Sequence, residues 1–407
     1  MKICVLGLGY IGLPTAAIFA SCGVEVLGVD VNPKVIDTIN QGKIHIVEQG
    51  LESLVSKVVQ DGSFKASLKP ECADVFIICV PTPFKENHQP NCDYIQSATL
   101  AIAPYLKKCD IVILESTSPV GTTQKIAQWL SAARSDLRFP QDANDISDIF
   151  LAHCPERVLP GYILKELVEN DRIVGGITPQ CARKAIEVYQ TFVRGKCILT
   201  DAKTAEMAKL VENSFRDVNI AFANELSMIC DKENIDVYEL INLANHHPRV
   251  NILQPGCGVG GHCIAVDPWF IVADFPEARL IKTAREVNDY KSEFVIEKIL
   301  EKLQSDLSKS VACLGLSFKP NIDDLRESPA LKIAESLCGK LRNPLLVVEP
   351  HIHQLPERLS RNAKLCSLQE AKKADLIVIL VGHQDFVGAD FASLNVLDFA
   401  NCINKNS

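Results

Sequence analysis

The chain has 407 residues, too many for one ordinary core, so two or three domains are expected. Its 47% hydrophobic and 23% charged content is that of a globular protein, and a net charge of −8 argues against a nucleic-acid binder, whose footprint is a basic face. No apolar run reaches the ~18–20 residues that span a bilayer, and the N-terminus leads straight into a glycine motif with no signal-peptide cleavage segment before it.

Sixteen cysteines are scattered through apolar runs with no C-x-x-C spacing. Most read as small buried hydrophobes of a reducing cytoplasm, and neither zinc nor a redox dithiol is expected. An acidic chain must hold any phosphate ligand through local Arg, Lys and helix N-termini.

The first half alternates strand and helix patterns. Strands are predicted at Ile3–Leu6, Val24–Val29, Val75–Val80, Ile111–Leu114, Ile149–His153 and Arg172–Gly175, with helices at Thr15–Ser21, Pro33–Gln41 and Thr122–Ala133. Such alternation implies a parallel, doubly wound sheet. The first strand feeds Gly7-Leu-Gly9-Tyr-Ile-Gly12, a G-x-G-x-x-G fingerprint, and Asp30 closes the next apolar run. Gly7 serves a tight turn, Gly9 close backbone approach to a pyrophosphate, and Gly12 close helix–strand packing. Asp30 favours NAD over NADP, because a carboxylate accepts from a ribose 2′-hydroxyl and repels a 2′-phosphate. Pro81-Thr-Pro83 and Glu115-Ser-Thr-Ser-Pro-Val-Gly121 follow two successive strands at their carboxyl ends, where open α/β sheets bind ligands. Ordinary Pro-rich turns would look alike singly; their recurrence favours a functional reading.

Between Asp201 and Asn234 no Gly or Pro occurs, and Ala205, Ala208, Val211, Phe215, Val218, Phe222, Leu226 and Ile229 recur at helical spacing. The predicted helix is ~45–50 Å long and able to join two domains. Lys209, Asn213 and Arg216 share one of its faces, and Phe215 and Phe222 suggest a heavily packed helix. A lysine and an amide on such a face suit an oxyanion beside a nucleophile, where a solvated polar stripe is the commoner explanation.

The segment Gly256-Cys-Gly-Val-Gly-Gly-His-Cys263 offers that nucleophile. So many glycines make little sense for core packing; they would admit a ligand to the backbone and leave the Cys263 thiol accessible. Asp267 lies four residues on. His262 is a possible base, though a lone histidine is more often structural. A second helix is predicted over Ala278–Leu303. Strand–helix alternation then resumes at Val311–Leu316, Pro329–Gly339, Leu345–Val348 and Asp375–Val381, with Gly315-Leu-Ser-Phe318 standing where a three-glycine fingerprint would be.

Together these features resemble the UDP-glucose dehydrogenase superfamily of nucleotide-sugar 6-dehydrogenases. The likeness covers nearly the whole chain: Gly7–Pro14, Pro81-Thr-Pro, Ser116–Gly121, Cys154-Pro-Glu-Arg-Val-Leu-Pro-Gly161, Ala205-Glu-Met-Ala-Lys209-Leu-Val-Glu-Asn213, Gly-Gly-His-Cys263, and Phe318-Lys-Pro through Asp324-Leu-Arg-Glu-Ser328. The runs Asn213–Glu225 and Val250–Gly256 are similar to its N-acetylmannosamine branch. The resemblance implies two Rossmann-like doubly wound domains joined by a long central helix with a small helical domain: NAD binding over 1–199, a central helical part over 200–304, and UDP-sugar binding over 305–407. It implies Cys263 as nucleophile, Lys209 as acid/base or oxyanion stabiliser with Asn213 beside it, Asp267 and Glu156 as carboxylates for water and proton transfer, and Thr117 as a holder of that water. Tyr10, Ile11, Asp30, Thr82, Thr123 and Arg326 match cofactor contacts. Arg157, Val158, Lys209, Asn213, Arg216, His247, Arg249, Gly260, Phe318 and Lys319 match contacts to a UDP-N-acetyl-hexosamine. A homodimer built on the long helix is implied, with Arg249 reaching a neighbour's site, as is a cytoplasmic role in surface-polysaccharide precursor synthesis.

The chain departs from the glucose branch in reading Arg157-Val-Leu-Pro-Gly161 where that branch has Phe-Leu-Arg-Glu-Gly, and Val266 where it has lysine. Pro160 replaces its second glutamate. These changes reshape the sugar pocket. The same oxidation of UDP-N-acetylglucosamine, UDP-glucose or GDP-mannose, a two-electron hydroxyacid-type dehydrogenase, and a silent nucleotide sensor are the alternatives.

Overall fold

The computed structural model describes residues 1–85, 88–143, 146–159, 161–261 and 263–403. Pro160 and His262 lie outside the described residues. Backbone contacts divide the chain into Met1–Val211 and Glu212–Ser407, a division that falls inside the central helix Ala202–Glu233.

The first unit is built on eight strands: β1 (Lys2–Leu6), β2 (Glu25–Val29), β3 (Phe64–Ser67), β4 (Val75–Ile78), β5 (Ile111–Leu114), β6 (Phe150–His153), β7 (Arg172–Gly176) and β8 (Cys197–Asp201). Their order is β3-β2-β1-β4-β5-β6-β7-β8. Alternate residues of β1 feed opposite cores: Ile3 and Val5 pack with Phe19 and Val55, Cys4 and Leu6 with Phe76 and Leu130. Burial on both faces explains the unbroken apolar runs of the central strands. The sheet is not wholly parallel as expected, since β6 and β7 pair antiparallel through Ala152–Gly176 and His153–Gly175.

The sequence reading missed β3 and β8, the two edge strands. Lys65 interrupts β3, and β8, although it begins Cys197-Ile-Leu199, faces solvent along most of its length. The second unit repeats the lesson. Its sheet has the order β11-β10-β9-β12-β13, all parallel, from β9 (Val311–Leu314), β10 (Leu345–Val348), β11 (Ala363–Leu365), β12 (Leu376–Ile379) and β13 (Val396–Asp398). The short edge strands β11 and β13 were not anticipated.

The central helix is as long as expected, 32 residues, but its packing is not. Val211, Phe215, Phe222 and Ile229 are exposed at 49%, 68%, 52% and 52%, so that stripe is not covered by this chain. Besides apolar residues such as Ala205, Leu210, Ala221 and Ala223, the helix buries polar ones. Asp217 accepts from Arg285 (2.6 Å) and Asn288 (2.8 Å) of the helix Arg279–Lys302. Asn288 in turn accepts from Asn224, whose own oxygen accepts from the Gly256 amide at 2.9 Å. The two helices and the start of the glycine segment are thereby one buried hydrogen-bonded unit, and breaking such a pair leaves a charge stranded.

Gly12 opens the first helix, Gly12–Ser21, and a Cβ there would lie 1.8 Å from the Gly7 carbonyl oxygen. At Gly9 a Cβ would meet nothing within 4 Å. Gly12→Ala is therefore expected to lower stability by at least ~1–3 kcal/mol through backbone overpacking, while Gly9→Ala leaves the unfolding midpoint unchanged. Denaturation of the two variants side by side checks this.

Candidate active site

Sheet register sets the geometry of the first unit. Leu6 aligns with Val29 and Ile78, Ile78 with Leu114, and Leu114 with His153. The residues that follow these five positions therefore emerge at one level, at the carboxyl end of the sheet and beside the point where strand order reverses. They begin the segments led by Gly7, Asp30, Cys79, Glu115 and Cys154.

Asp30 Oδ2 accepts from the Leu8 amide (3.0 Å) and Oδ1 from the Asn32 amide (2.9 Å), which holds the carboxylate at the fingerprint turn. Space at Gly9 and this partly exposed acid fit a dinucleotide. Tyr10 is exposed and Ile11 half-buried beside them. The two proline turns are tied together: the Thr82 hydroxyl donates to the Thr117 carbonyl at 2.8 Å. Thr123 gives both its amide and its hydroxyl to the buried Glu206 carboxylate, at 2.7 and 2.6 Å, so its hydroxyl oxygen is left only as an acceptor.

Glu206 also takes the Gly121 amide and so fills the N-terminus of the helix Thr122–Ala133. In the sequence this residue stands only within the Ala205–Asn213 motif, with no role of its own. Glu115 is a second such case. It accepts from Tyr189 (2.6 Å), Thr15 (3.4 Å) and Cys79 (3.2 Å), with Arg172 3.5 Å away, and so binds helix, strand end and loop together. No periodicity marks either residue; the only signal is an acid where an apolar residue would be expected.

Glu156 is buried just beyond β6. Burial pushes its carboxyl above the usual range, against the opposing Val158 amide and the positive charges of Lys209 and Arg172. Lys209 is thus close enough to act on Glu156. It also helps burial drive His153 down to about 3, so that ring is neutral. The segment after Glu156 is fixed by acids: Val158 donates to Glu156 (2.9 Å), Leu159 to Glu166 (2.8 Å), and Gly161 and Ile163 to the distant Glu48 (2.8 and 2.9 Å). Arg157 is exposed and Val158 half-buried within it.

In the second unit the Cys263 side chain is exposed. Its carbonyl accepts from the Val266 and Asp267 amides, starting the helix Asp267–Asp274. Asp267, buried in that first turn, accepts from the Asn213 amide, and Asn213 accepts from Arg216 at 2.7 Å. Gly260 and Gly261 are pressed against Phe318: a Cβ would come within 2.8 Å of its Cβ and 2.9 Å of its ring. The glycines were expected to admit a ligand; at Gly258, Gly260 and Gly261 they admit the protein's own Asn288 carbonyl, Glu327 carbonyl, Pro329 and Phe318. The Gly261 amide donates to the Arg326 carbonyl, and the Arg326 guanidinium pairs with Asp324. Lys319 is half-buried next to Phe318, while His247 and Arg249 are exposed past the helix Val237–Asn245. Cys263, Asp267, Asn213, Arg216, Gly260, Phe318 and Arg326 thus form linked contacts, whereas the Arg249 amide donates to the His247 ring.

Three family models match in succession: the NAD binding domain of the UDP-glucose/GDP-mannose dehydrogenase family over residues 1–193, its central domain over 203–290, and its UDP binding domain over 312–405. The chain belongs to the UDP-glucose/GDP-mannose dehydrogenase family. It is an NAD-dependent dehydrogenase with two Rossmann-like domains linked by helical segments. It is 63% identical over 391 residues to UDP-N-acetyl-D-mannosamine dehydrogenase of Campylobacter jejuni, covering 95% of this chain and 96% of that one. It is 59% identical over 385 residues to an NDP-N-acetyl-D-galactosaminuronic acid dehydrogenase of Ralstonia nicotianae, covering 94% and 91%. The solved UDP-D-ManNAc dehydrogenase of Pyrococcus horikoshii matches with a TM-score of 0.89 at 39% identity, covering 100% and 96%. Among the described residues no helix is long and apolar enough to cross a membrane.

Glu156 binds its proton more tightly folded than unfolded, so its contribution to stability is greatest below its ordinary value of 4.5 and falls as pH rises toward the raised one. Urea midpoints across that acid range should fall less steeply with pH in Glu156→Gln than in the parent chain.

Proposed function

We propose that this enzyme oxidises UDP-N-acetyl-D-mannosamine to UDP-N-acetyl-D-mannosaminuronate, removing four electrons from the C6 alcohol through a thioester on Cys263. The observation that carries the reading is an exposed thiol at the mouth of a helix whose first-turn Asp267 is bonded to Asn213. Identity of 63% with the mannosamine enzyme supports the sugar. The domain roles follow: residues 1–199 for the cofactor, 200–304 for catalysis and pairing, 305–407 for the nucleotide of the substrate.

Gly7, Gly9, Tyr10, Ile11, Gly12, Asp30, Thr82, Thr123 and Arg326 are the residues that would hold NAD. When bound, NAD accepts a hydride from C6, and two in turn account for the four electrons. The chain's own groups do the rest. The Cys263 thiolate adds to the C6 aldehyde, and the Lys209 ammonium and Asn213 amide stabilise the resulting oxyanion. The thioester left after the second oxidation is opened by a water that Thr117 helps hold and that Glu156 or Asp267 deprotonates; the acid and the free thiol result. Arg157, Val158, Arg216, His247, Arg249, Gly260, Phe318 and Lys319 would hold the UDP-sugar. An oxyanion donor of this kind is worth ~3–4 kcal/mol, so Lys209→Ala should lose about 100–1000-fold in rate.

A second sugar is favoured by the 59% identity with the galactosaminuronic enzyme, namely the N-acetylgalactosamine nucleotide. Side-by-side turnover of the UDP-linked N-acetylhexosamines, with product mass and NADH per acid counted, separates the two. Cys263→Ser is expected to abolish release of acid with two NADH per sugar; full turnover in that variant removes the covalent step.

We infer further that the working unit is a cytoplasmic homodimer. Among the described residues none of the sixteen cysteines is in a disulfide, which suits a reducing compartment. Val211, Phe215, Phe222 and Ile229 lie four and seven residues apart and make one exposed apolar stripe along the central helix. A twofold axis lays such a stripe on its own copy. Sedimentation should give a dimer for the parent chain and a monomer for the Phe215→Asp/Phe222→Asp variant; a monomeric parent would sink the idea.

A further inference from the structure

The second α/β unit reproduces the acid clasp of the first, with one change. Gly7 donates to Val29 and Gly315 to Val348, each at 2.8 Å. The next amide, Leu8 or Leu316, donates to the acid that follows the neighbouring strand, Asp30 at 3.0 Å or Glu349 at 2.7 Å. The other oxygen of each acid takes the amide two residues on, Asn32 or His351. Asp30 remains partly exposed, whereas Glu349 is 3% exposed and His383, at 0%, closes over it. His383 Nε2 lies 3.1 Å from Glu349 Oε2 and 3.3 Å from the Ser317 hydroxyl. The acid left partly exposed in one domain is sealed by an imidazole in the other.

Glu349, His351 and His383 offer ligand atoms all within 4.8 Å of one another, a spacing suited to a metal ion. The hydrogen bonds argue otherwise. The Asn321 amide donates to His383 Nδ1 at 2.9 Å, which requires a lone pair there and puts the proton on Nε2, aimed at the carboxylate. That tautomer has no lone pair left for a metal.

The clamp grips a short turn. Glu349 holds the Leu316 and Ser317 amides, the Ser317 hydroxyl donates to the Lys319 carbonyl, and Asn321 is held by His383 and by the Gln384 amide. Phe318, in the middle, is the residue pressed on Gly260 and Gly261, two positions before Cys263. We propose that His383 is a positioning residue: as the Nε2–H tautomer bridging Glu349 and Asn321, it fixes the turn bearing Phe318 and Lys319, and through Phe318 the glycine turn that presents Cys263. The proposal rests on the reading of Cys263, Phe318 and Lys319 as the thiol and substrate contacts. Its physical content, the seating of the Cys263 turn, is measurable without it.

The test compares His383→Phe with His383→Gln, whose amide keeps a donor and an acceptor at nearly imidazole spacing. In His383→Phe, kcat/KM for UDP-N-acetyl-D-mannosamine should fall about ten- to hundredfold, the loss expected from a misplacement near 1 Å, with the KM for NAD unchanged. His383→Gln should recover most of the loss. Peptide-resolved alkylation of Cys263 by iodoacetamide should change rate in His383→Phe and return toward the parent in His383→Gln. A folded His383→Phe with parental kinetics and parental alkylation overturns the proposal. So does a loss that His383→Gln fails to rescue, or a stoichiometric metal in the purified protein that this substitution removes. Should His383→Phe not fold, Glu349→Gln, which can set an amide N–H against the imidazole N–H, takes its place with the same outcomes. If Cys263→Ser and Phe318→Ala keep full turnover, the functional reading fails, and the alkylation rates alone decide the clamp.

Discussion

One constraint underlies the first unit: hydrogen-bond register forces Leu6, Val29, Ile78, Leu114 and His153 to the same height in the sheet. Parallel strands buried on both faces leave little freedom to slip, because a shift by one residue would turn every side chain to the opposite core. The chain then leaves all five strands together, and whatever follows is gathered along one edge. The fingerprint glycines, Asp30, the proline turns and Glu156 share a neighbourhood for that reason, although more than 140 residues separate Gly7 from Glu156.

Strand ends create a second problem, since the loops beyond them carry amides with no ladder partner. This chain solves it repeatedly with carboxylates: Asp30 at the fingerprint, Glu48 and Glu166 on the segment after Glu156, Glu206 at the Gly121 turn, and Glu349 in the second unit. Hydrogen bonds to an ionised acceptor are roughly twice as strong as neutral ones. The loops are therefore held stiff, which is what orientation of a reacting group demands. Burial pushes the Glu206 carboxyl above its usual range, against the pull of the Thr123 and Gly121 groups that donate to it.

Much of this was legible in the residues, and the exceptions share a physical cause. Central strands, the fingerprint, Asp30 and the 32-residue helix announce themselves through burial on both faces, glycine spacing and helical period. Edge strands did not, because half their surface is wet. Glu206 and Glu349 did not either: a buried acid has no periodicity, and its partners are amides that every residue carries. The glycines before Cys263 stand out by their number, but sequence does not show that Phe318, Pro329 and the Asn288 and Glu327 carbonyls lie against them. Phe215 and Phe222 were taken as packed for the same reason: a helical stripe reveals a sticky face without revealing which body covers it.

The grip of Glu48 on Gly161 and Ile163 reaches across more than a hundred residues of chain. The stretch after Glu156 is consequently not a cassette that can be exchanged by itself. Transplanted without its remote anchor, it would arrive with two amides unmoored and its arginine adrift. Exchanging this loop is therefore a problem of moving it together with the distant acid that staples it down.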